Sequence, residues 1–450
     1  DIRDVSSNNN ISGNGVYIGA YASDEMIMNI ENFIGNENNN SGLFIEPDAD
    51  ELLRITMNNI TTNDNLVNGI FVENWWLFGD FLLDISNIVA HRNDSIGVEF
   101  YLSTDGSGLA TFNNLTCNMN YFAGAGIQLY AWGPEGLTMN LNGITALNNG
   151  GCGIHSSASA SEDVFTTINN IIVNDNDVLG PSGVGLEFES WSDFGDSITQ
   201  VTNVEANRNY NGLWLMASSG KDNGFIELEV KHIITNENTN NGIFDMRVLA
   251  SGDGGIASLK MEDVVANKNG GYGIYIWGVN ADWSNGSSVV NMNDLVAHQN
   301  DGGGLYLKST AINEVTINLN NASFNENTGN GLYLRPRSLN SGVLVNVSEI
   351  IAKNNTSNGV FAFIQANAGS SEIDFGGGNL GSPGQNKFYG NSVYQFADLS
   401  LDPYTITVEN SFWSADPPIQ GTTYPAPNGD YYSRNGVIDV DPYLTTDPHE

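Results

Sequence analysis

The chain has 450 residues, with 52 Asp or Glu against 15 Lys or Arg, a formal charge of -37 at pH 7 and 40% hydrophobic residues. So few cations make nucleic acid and anionic membranes poor partners, while cations and cation-bridged surfaces suit the chain better. No apolar run approaches the ~20 residues of a membrane-spanning helix, and two cysteines cannot build a disulfide framework.

The chain opens at Asp1 without Met or signal peptide, as a processed secreted protein or a trimmed chain would. Thirteen glycines, each followed by Val, Ile or Leu, then recur at Gly15, Gly42, Gly69, Gly97, Gly126, Gly153, Gly185, Gly212, Gly242, Gly273, Gly304, Gly331 and Gly359, at spacings of 27 to 32. Such a period is one unit of a stacked array. A second landmark follows each of the first twelve glycines by 18 to 22 residues: Phe33, Ile60, Ile88, Leu115, Ile144, Ile171, Val204, Ile233, Val264, Leu295, Ala322 and Ile350. Apolar residues five and three positions before it, a phase break, and Asn just before it predict two strands joined by a tight corner. The glycine block supplies a third strand. Units this short hold no core alone and are stable only when coiled and stacked at roughly 4.8 Å. The expected fold is therefore all-β: a single-stranded right-handed parallel β-helix, a solenoid of about 13–15 coils over residues 1–415. Thirteen coils would make one rod on the order of 60 Å.

Asn precedes the landmark at Asn32, Asn59, Asn87, Asn114, Asn170, Asn203 and Asn321, and Asn stands five residues after all twelve landmarks. Asn tolerates left-handed backbone and can bond its counterpart one coil away, so both sets are expected to be structural. Cys117 takes a small inward position matched by Ala90, Ala146 and Ala206, whereas Cys152 stands beside a repeat glycine, and the two are not expected to pair. Val5, Asn8 and Asn10 fit the landmark register, which puts Asp1 in mid-coil and leads us to expect an upstream segment or a neighbouring subunit over that edge. After Trp413 a Pro- and Tyr-rich segment, 416–450, is expected to form an irregular cap or extension, with a short strand at Val437–Val440.

With its asparagine ladder at a tight corner, the repeat resembles the right-handed parallel β-helix, or pectate-lyase-like, superfamily. The stretch Ile373–Phe388 (IDFGGGNLGSPGQNKF), with Val408–Trp413 (VENSFW), is similar to the closing coils of large secreted or surface-displayed members. The resemblance implies an extracellular or cell-surface setting. The enzyme motifs of that superfamily, Arg-x-Pro-x-x-Arg, Gly-His-Gly and Arg-Ile-Lys, are absent from the sequence. Asp447-Pro-His-Glu450 is similar to the Asp-Pro-His motif of alginate epimerases but sits in the terminal tail, away from any coil.

On the glycine-led strand, the second and fourth residues after the glycine should face outward. The second is aromatic at Tyr17, Phe44 and Phe71, and again at Trp214, Phe244, Tyr275, Tyr306, Tyr333 and Phe361, which suggests stacked ribbons or a platform for sugars. Between the ribbons it turns polar: Glu99, Gln128, His155 and Glu187. The fourth position adds Tyr101, Tyr130, Ser157 and Glu189, with Trp191 just beyond. If the protein is an enzyme, Glu187 and Glu189, about 7 Å apart along the strand, are the acid and base of a polysaccharide hydrolase, with His155 tuning one of them. Glu99, Tyr101, Gln128, Tyr130, Trp191 and Trp214 would then line the ligand site. A lyase fits less well, because no basic side chain is expected on this face to hold a uronate. No complete metal-binding signature occurs and the sequence assigns no certain cofactor, while Asp193 with Asp196, or Asp48 with Asp50, could offer oxygens to Ca²⁺. Asn10, Asn39, Asn59, Asn93, Asn114, Asn285, Asn321, Asn346, Asn354 and Asn355 begin glycosylation sequons. The leading expectation is a non-catalytic extracellular structural or adhesive protein, assembling end to end or with neighbouring surface proteins; polysaccharide is the other partner considered.

Overall fold

The computed structural model describes residues 1–74, 77–121, 126–176, 183–367, 371–413, 417–425 and 429–447. Trp75, Trp76, Pro427 and the Pro-His-Glu end of the tail motif lie outside them. Among the described residues there is no helix; strands make up 55%, in all-parallel sheets wound as a β-solenoid of about 15 turns. The chain falls into two compact units, Asp1–Gly220 and Lys221–Glu450.

In the first unit, landmark strands pair only with landmark strands, as Leu52–Thr61 does with Glu25–Ile34 and Asp80–Val89. Glycine-led strands form the other sheet, Leu43–Ala49 lying between Val16–Ala22 and Ile70–Glu73. The second unit repeats the scheme, with Ile256–Val265 between Phe225–Ile234 and Ser287–Val296, and Leu305–Ala311 between Ile274–Ala281 and Leu332–Ser338. Each coil therefore has two strands where three were expected. The corner does not interrupt the landmark strand: its register passes from Glu31↔Asn58 straight to Phe33↔Ile60, skipping one residue pair. Residues on both sides of the corner point inward, and Ile55, Met57 and Ile60 are fully buried. Burying each such side chain contributes roughly 1.5–3 kcal/mol, which is what drives coil formation.

The corner residue adopts a positive φ before all twelve landmarks, from 47° at Asn321 to 64° at Gly143, including His232 and Glu349. A second left-handed residue follows four positions after each landmark, at φ of 53° to 59°. It is Glu37, Asp64, Arg92, Met119 or Lys268 as readily as Asn148, so the next residue, the invariant Asn, does not carry the turn as expected. That Asn is buried and supplies hydrogen bonds instead. In the first unit Asn38, Asn65, Asn93, Asn120 and Asn149 each donate Nδ2 to Oδ1 of the next rung at 2.9–3.0 Å. In the second unit Asn238, Asn269, Asn300 and Asn327 do the same at 3.0 Å.

The repeat glycine belongs to the same contact. A Cβ on Gly97 would stand 2.6 Å from the Gly126 carbonyl oxygen and 2.7 Å from Nδ2 of Asn120. The two landmarks that recur furthest apart in each interval thus meet in space, the bare glycine letting the next coil and its ladder amide approach. Cys117 is buried as expected, and neither cysteine forms a disulfide. Beyond residue 415, Tyr431–Ser433 pairs in parallel with Phe396–Asp398, and Val437–Asp439 with Thr405–Thr407. Part of the C-terminal segment therefore joins the sheets instead of forming a wholly irregular extension.

Candidate functional site

Within the first unit, strands Val98–Ser103, Ile127–Gly133, Ile154–Ala160, Val184–Ser192 and Asn211–Ser219 stack in register. One row reads Glu99, Gln128, His155, Glu187, Trp214, and a second reads Tyr101, Tyr130, Ser157, Glu189, Met216. Alternation carries both rows to the outer face, since Leu129, Phe188 and Leu215 between them are buried. The sequence-predicted residues are therefore neighbours. Trp191 lies in a third row, opposite Ser159 and Ser218, and is 42% exposed.

The rows bond to one another. The Tyr101 and Tyr130 rings stack at 4.9 Å and 12°, and the Gln128 amide donates to both hydroxyls, at 3.0 and 2.8 Å. The Tyr130 hydroxyl lies 3.3 Å from the His155 ring nitrogens, and His155 Nε2 lies 3.7 Å from Oε1 of Glu187. The other Glu187 oxygen accepts from the Cys152 thiol at 3.4 Å. Burial, with the Glu187 charge adding to it, pushes that thiol up to about 12, so it stays protonated and donates. At the far end Glu99 is buried and accepts from the Asn68 amide at 2.5 Å. Burial raises its carboxyl above the usual range, partly offset by hydrogen bonds from Tyr101 and Asn68. The Tyr101 and Tyr130 hydroxyls are raised as well, burial being the first cause for each and nearby glutamates adding to it.

The arrangement is a chain of donors and acceptors running across four coils and largely closed on itself. One oxygen of Glu187 accepts from Cys152, and the other stands 3.7 Å from His155, beyond hydrogen-bond reach. Asn68 and Cys152 were missed by sequence reasoning. Each stands immediately before a repeat glycine, and that shared position was the available signal.

Asp193 accepts the Trp191 indole N–H at 2.8 Å, and Asp50 accepts the Tyr21 hydroxyl at 3.1 Å. No group of three or more His, Cys, Asp or Glu among the described residues could hold a metal ion. Of the sequon asparagines, Asn39, Asn59, Asn114, Asn285, Asn321 and Asn354 are exposed, and Asn10 and Asn346 are half-buried. Asn93 and Asn355 are fully buried rungs of the ladder, which closes both to a glycan in the folded coil. Neither row beside Glu187 and Glu189 holds a Lys or Arg; in the second unit, by contrast, Lys308 and Arg335 occupy the fourth position after their glycines, with Arg337 two residues further on. Compared with known proteins, the chain matches no family, no curated protein and no solved structure.

Proposed function

We propose that the protein is a non-catalytic scaffold, structural or adhesive, that works outside the cell by presenting long regular faces to a partner surface, and that its coils are of the right-handed pectate-lyase-like kind. The observation that supports this reading most is the set of coil-to-coil contacts among Tyr101, Gln128, Tyr130 and His155, beside which Glu187 accepts from Cys152. Outward polar groups that elsewhere would wait for a substrate are here bonded from coil to coil. The aromatic ribbons point the same way. A ring that binds a sugar must offer its face, yet Tyr306 stacks on Tyr275 and on Tyr333 at 4.8 Å, and Tyr333 on Phe361 at 4.6 Å. Tyr306 is only 8% exposed. These rings hold coils together and leave mainly edges to solvent.

The scaffold reading is tested by sedimentation velocity, together with retention of the protein on insoluble polysaccharides and on whole cells of the source. Self-association, or retention that salt and Ca²⁺ modulate, is the expected result. A protein that stays monomeric at high concentration and is retained by none of these surfaces would refute it.

A further inference from the structure

The second unit holds a cavity of about 380 Å³ lined by Asn280, Asp282, Lys308, Thr310, Arg335, Arg337, Leu339 and Gln365. Its volume falls within the range of small-ligand sites. Three of the 15 basic residues of a chain with charge -37 converge here, facing a single carboxylate, Asp282. They come together because Lys308 pairs in register with Arg335, and Arg337 with both Thr310 and Gln365. The neighbouring strand Ile274–Ala281 is bulged, its register slipping between Ile276↔Leu307 and Val279↔Ser309. A bulge inserts a residue and re-aims the side chains beside it, and here that residue pair is Trp277 and Gly278, next to Lys308.

Elsewhere in the same unit several cations are paired with carboxylates. Lys260 pairs with Glu227 at 2.8 Å, Lys231 with Glu229 at 2.8 Å and Glu262 at 3.4 Å, and Arg247 with Asp245 at 2.5 Å. Among the described residues, Lys308, Arg335 and Arg337 have no carboxylate at ion-pair distance. Two of them are held by rings instead: Lys308 Nζ sits 4.9 Å from the centre of the Trp277 ring, and the Arg335 guanidinium 5.6 Å from that of Phe363. Such contacts orient a cation without cancelling its charge. Gathering three like charges is unfavourable unless an anion joins them. The cavity also carries an unmet polar group, since the side-chain oxygen of Asn280 is buried without a hydrogen-bond partner.

We infer that this cavity binds a phosphoryl group, with Arg335, Arg337 and Lys308 on its oxygens and Asn280 accepting a hydroxyl of the carrier. Three cations against one carboxylate leave a surplus matched by a phosphate monoester, which carries about -1.5 to -2 at pH 7. Guanidinium forks suit its oxygens bidentately. The proposal stands apart from the scaffold reading, because it rests on other residues in the other unit.

The test is isothermal titration of the whole chain at low ionic strength with inorganic phosphate, a hexose 6-phosphate, the unphosphorylated hexose and a short single-stranded DNA. Binding of phosphate or hexose phosphate, weakened at least tenfold in Arg335→Gln and Arg337→Gln but retained in Arg434→Gln on an exposed turn, is expected. Tighter binding of the ester would identify a phosphorylated sugar as the source, and equal binding would identify the free anion. Affinity should fall as the pH drops from 7.5 to 5.5 and the phosphate gains a proton. Binding equal in both arginine variants and wild type, no binding of either phosphate by a folded wild-type chain, or preference for the DNA, would overturn the inference.

Discussion

At the scale of single residues, asparagine does two separable jobs, and substitution tells them apart. At the corner, Asn59 is there for its backbone, at φ 57°, and its amide reaches Asn32 on the surface at 2.7 Å. Asn59→Gly should be nearly neutral, while Asn59→Ala should cost about 1 kcal/mol, because alanine keeps a Cβ in left-handed space without the polar side chain that lets Asn tolerate it. In the ladder, Asn120 is there for its side chain. It donates to Asn149 and to the Ala90 carbonyl, and it accepts from the backbone and amide nitrogens of Asn93. Asn120→Gly and Asn120→Ala should both cost roughly 3 kcal/mol, because buried partners are left unmet; urea unfolding of the four variants checks the contrast. His91 gives a pH handle on a neighbouring ladder, formed three residues after the landmark, where its Nδ1 accepts the Asn118 backbone N–H at 3.1 Å. Burial lowers its pKa, Arg92 adding to the shift and Asp64 opposing it, so the folded state prefers neutral imidazole. Its contribution is therefore present above the usual histidine range and is lost as the pH falls through the lowered value. Between pH 7.5 and 5, melting temperature should drop further in wild type than in His91→Asn, which accepts the same hydrogen bond without titrating.

At the scale of the coil, much of the fold was legible because each landmark meets a physical demand that repeats. Glycine is needed where coils approach, an apolar residue where the strand turns inward, and Asn where a buried rung needs both donor and acceptor. The count of strands per coil was not legible, because a single left-handed residue redirects the chain without breaking the ladder on either side, as between Glu31 and Phe33. Outward assignment by alternation held for Glu187 and Glu189 but failed at Met246, which is fully buried. There Asp245 takes φ 52° and the register slips between Ile243 and Met246, a bulge that periodicity does not reveal. The candidate site could be placed from sequence, since register alone aligns His155 with Glu187. Its chemistry could not, because the partners Asn68 and Cys152 reach it from the turn before the strand. The aromatic ribbon offers a direct test at this scale. Tyr306→Ala should cost about 3 kcal/mol through lost burial and stacking, whereas Tyr306→Phe, which keeps the rings at 4.8 Å from both neighbours, should stay within about 0.5 kcal/mol of wild type in thermal unfolding.

At the scale of the whole molecule, the repeat turns its polar chemistry toward its own neighbours. Buried asparagines satisfy the turn backbone, outward tyrosines and amides link one coil to the next, and three of the scarce cations gather in the Lys308–Arg335–Arg337 cavity. On the scaffold account proposed above, such a chain holds its shape and offers surfaces, and Glu187 and Glu189 share a face without acting as a proton-transfer pair. The central claim is therefore tested by incubating wild type and Glu187→Gln with a panel of neutral and acidic polysaccharides and measuring new reducing ends and unsaturated products. No release above background by either protein is the predicted result. Release by wild type that is lost in Glu187→Gln would contradict the scaffold account and show that Glu187 acts on a substrate.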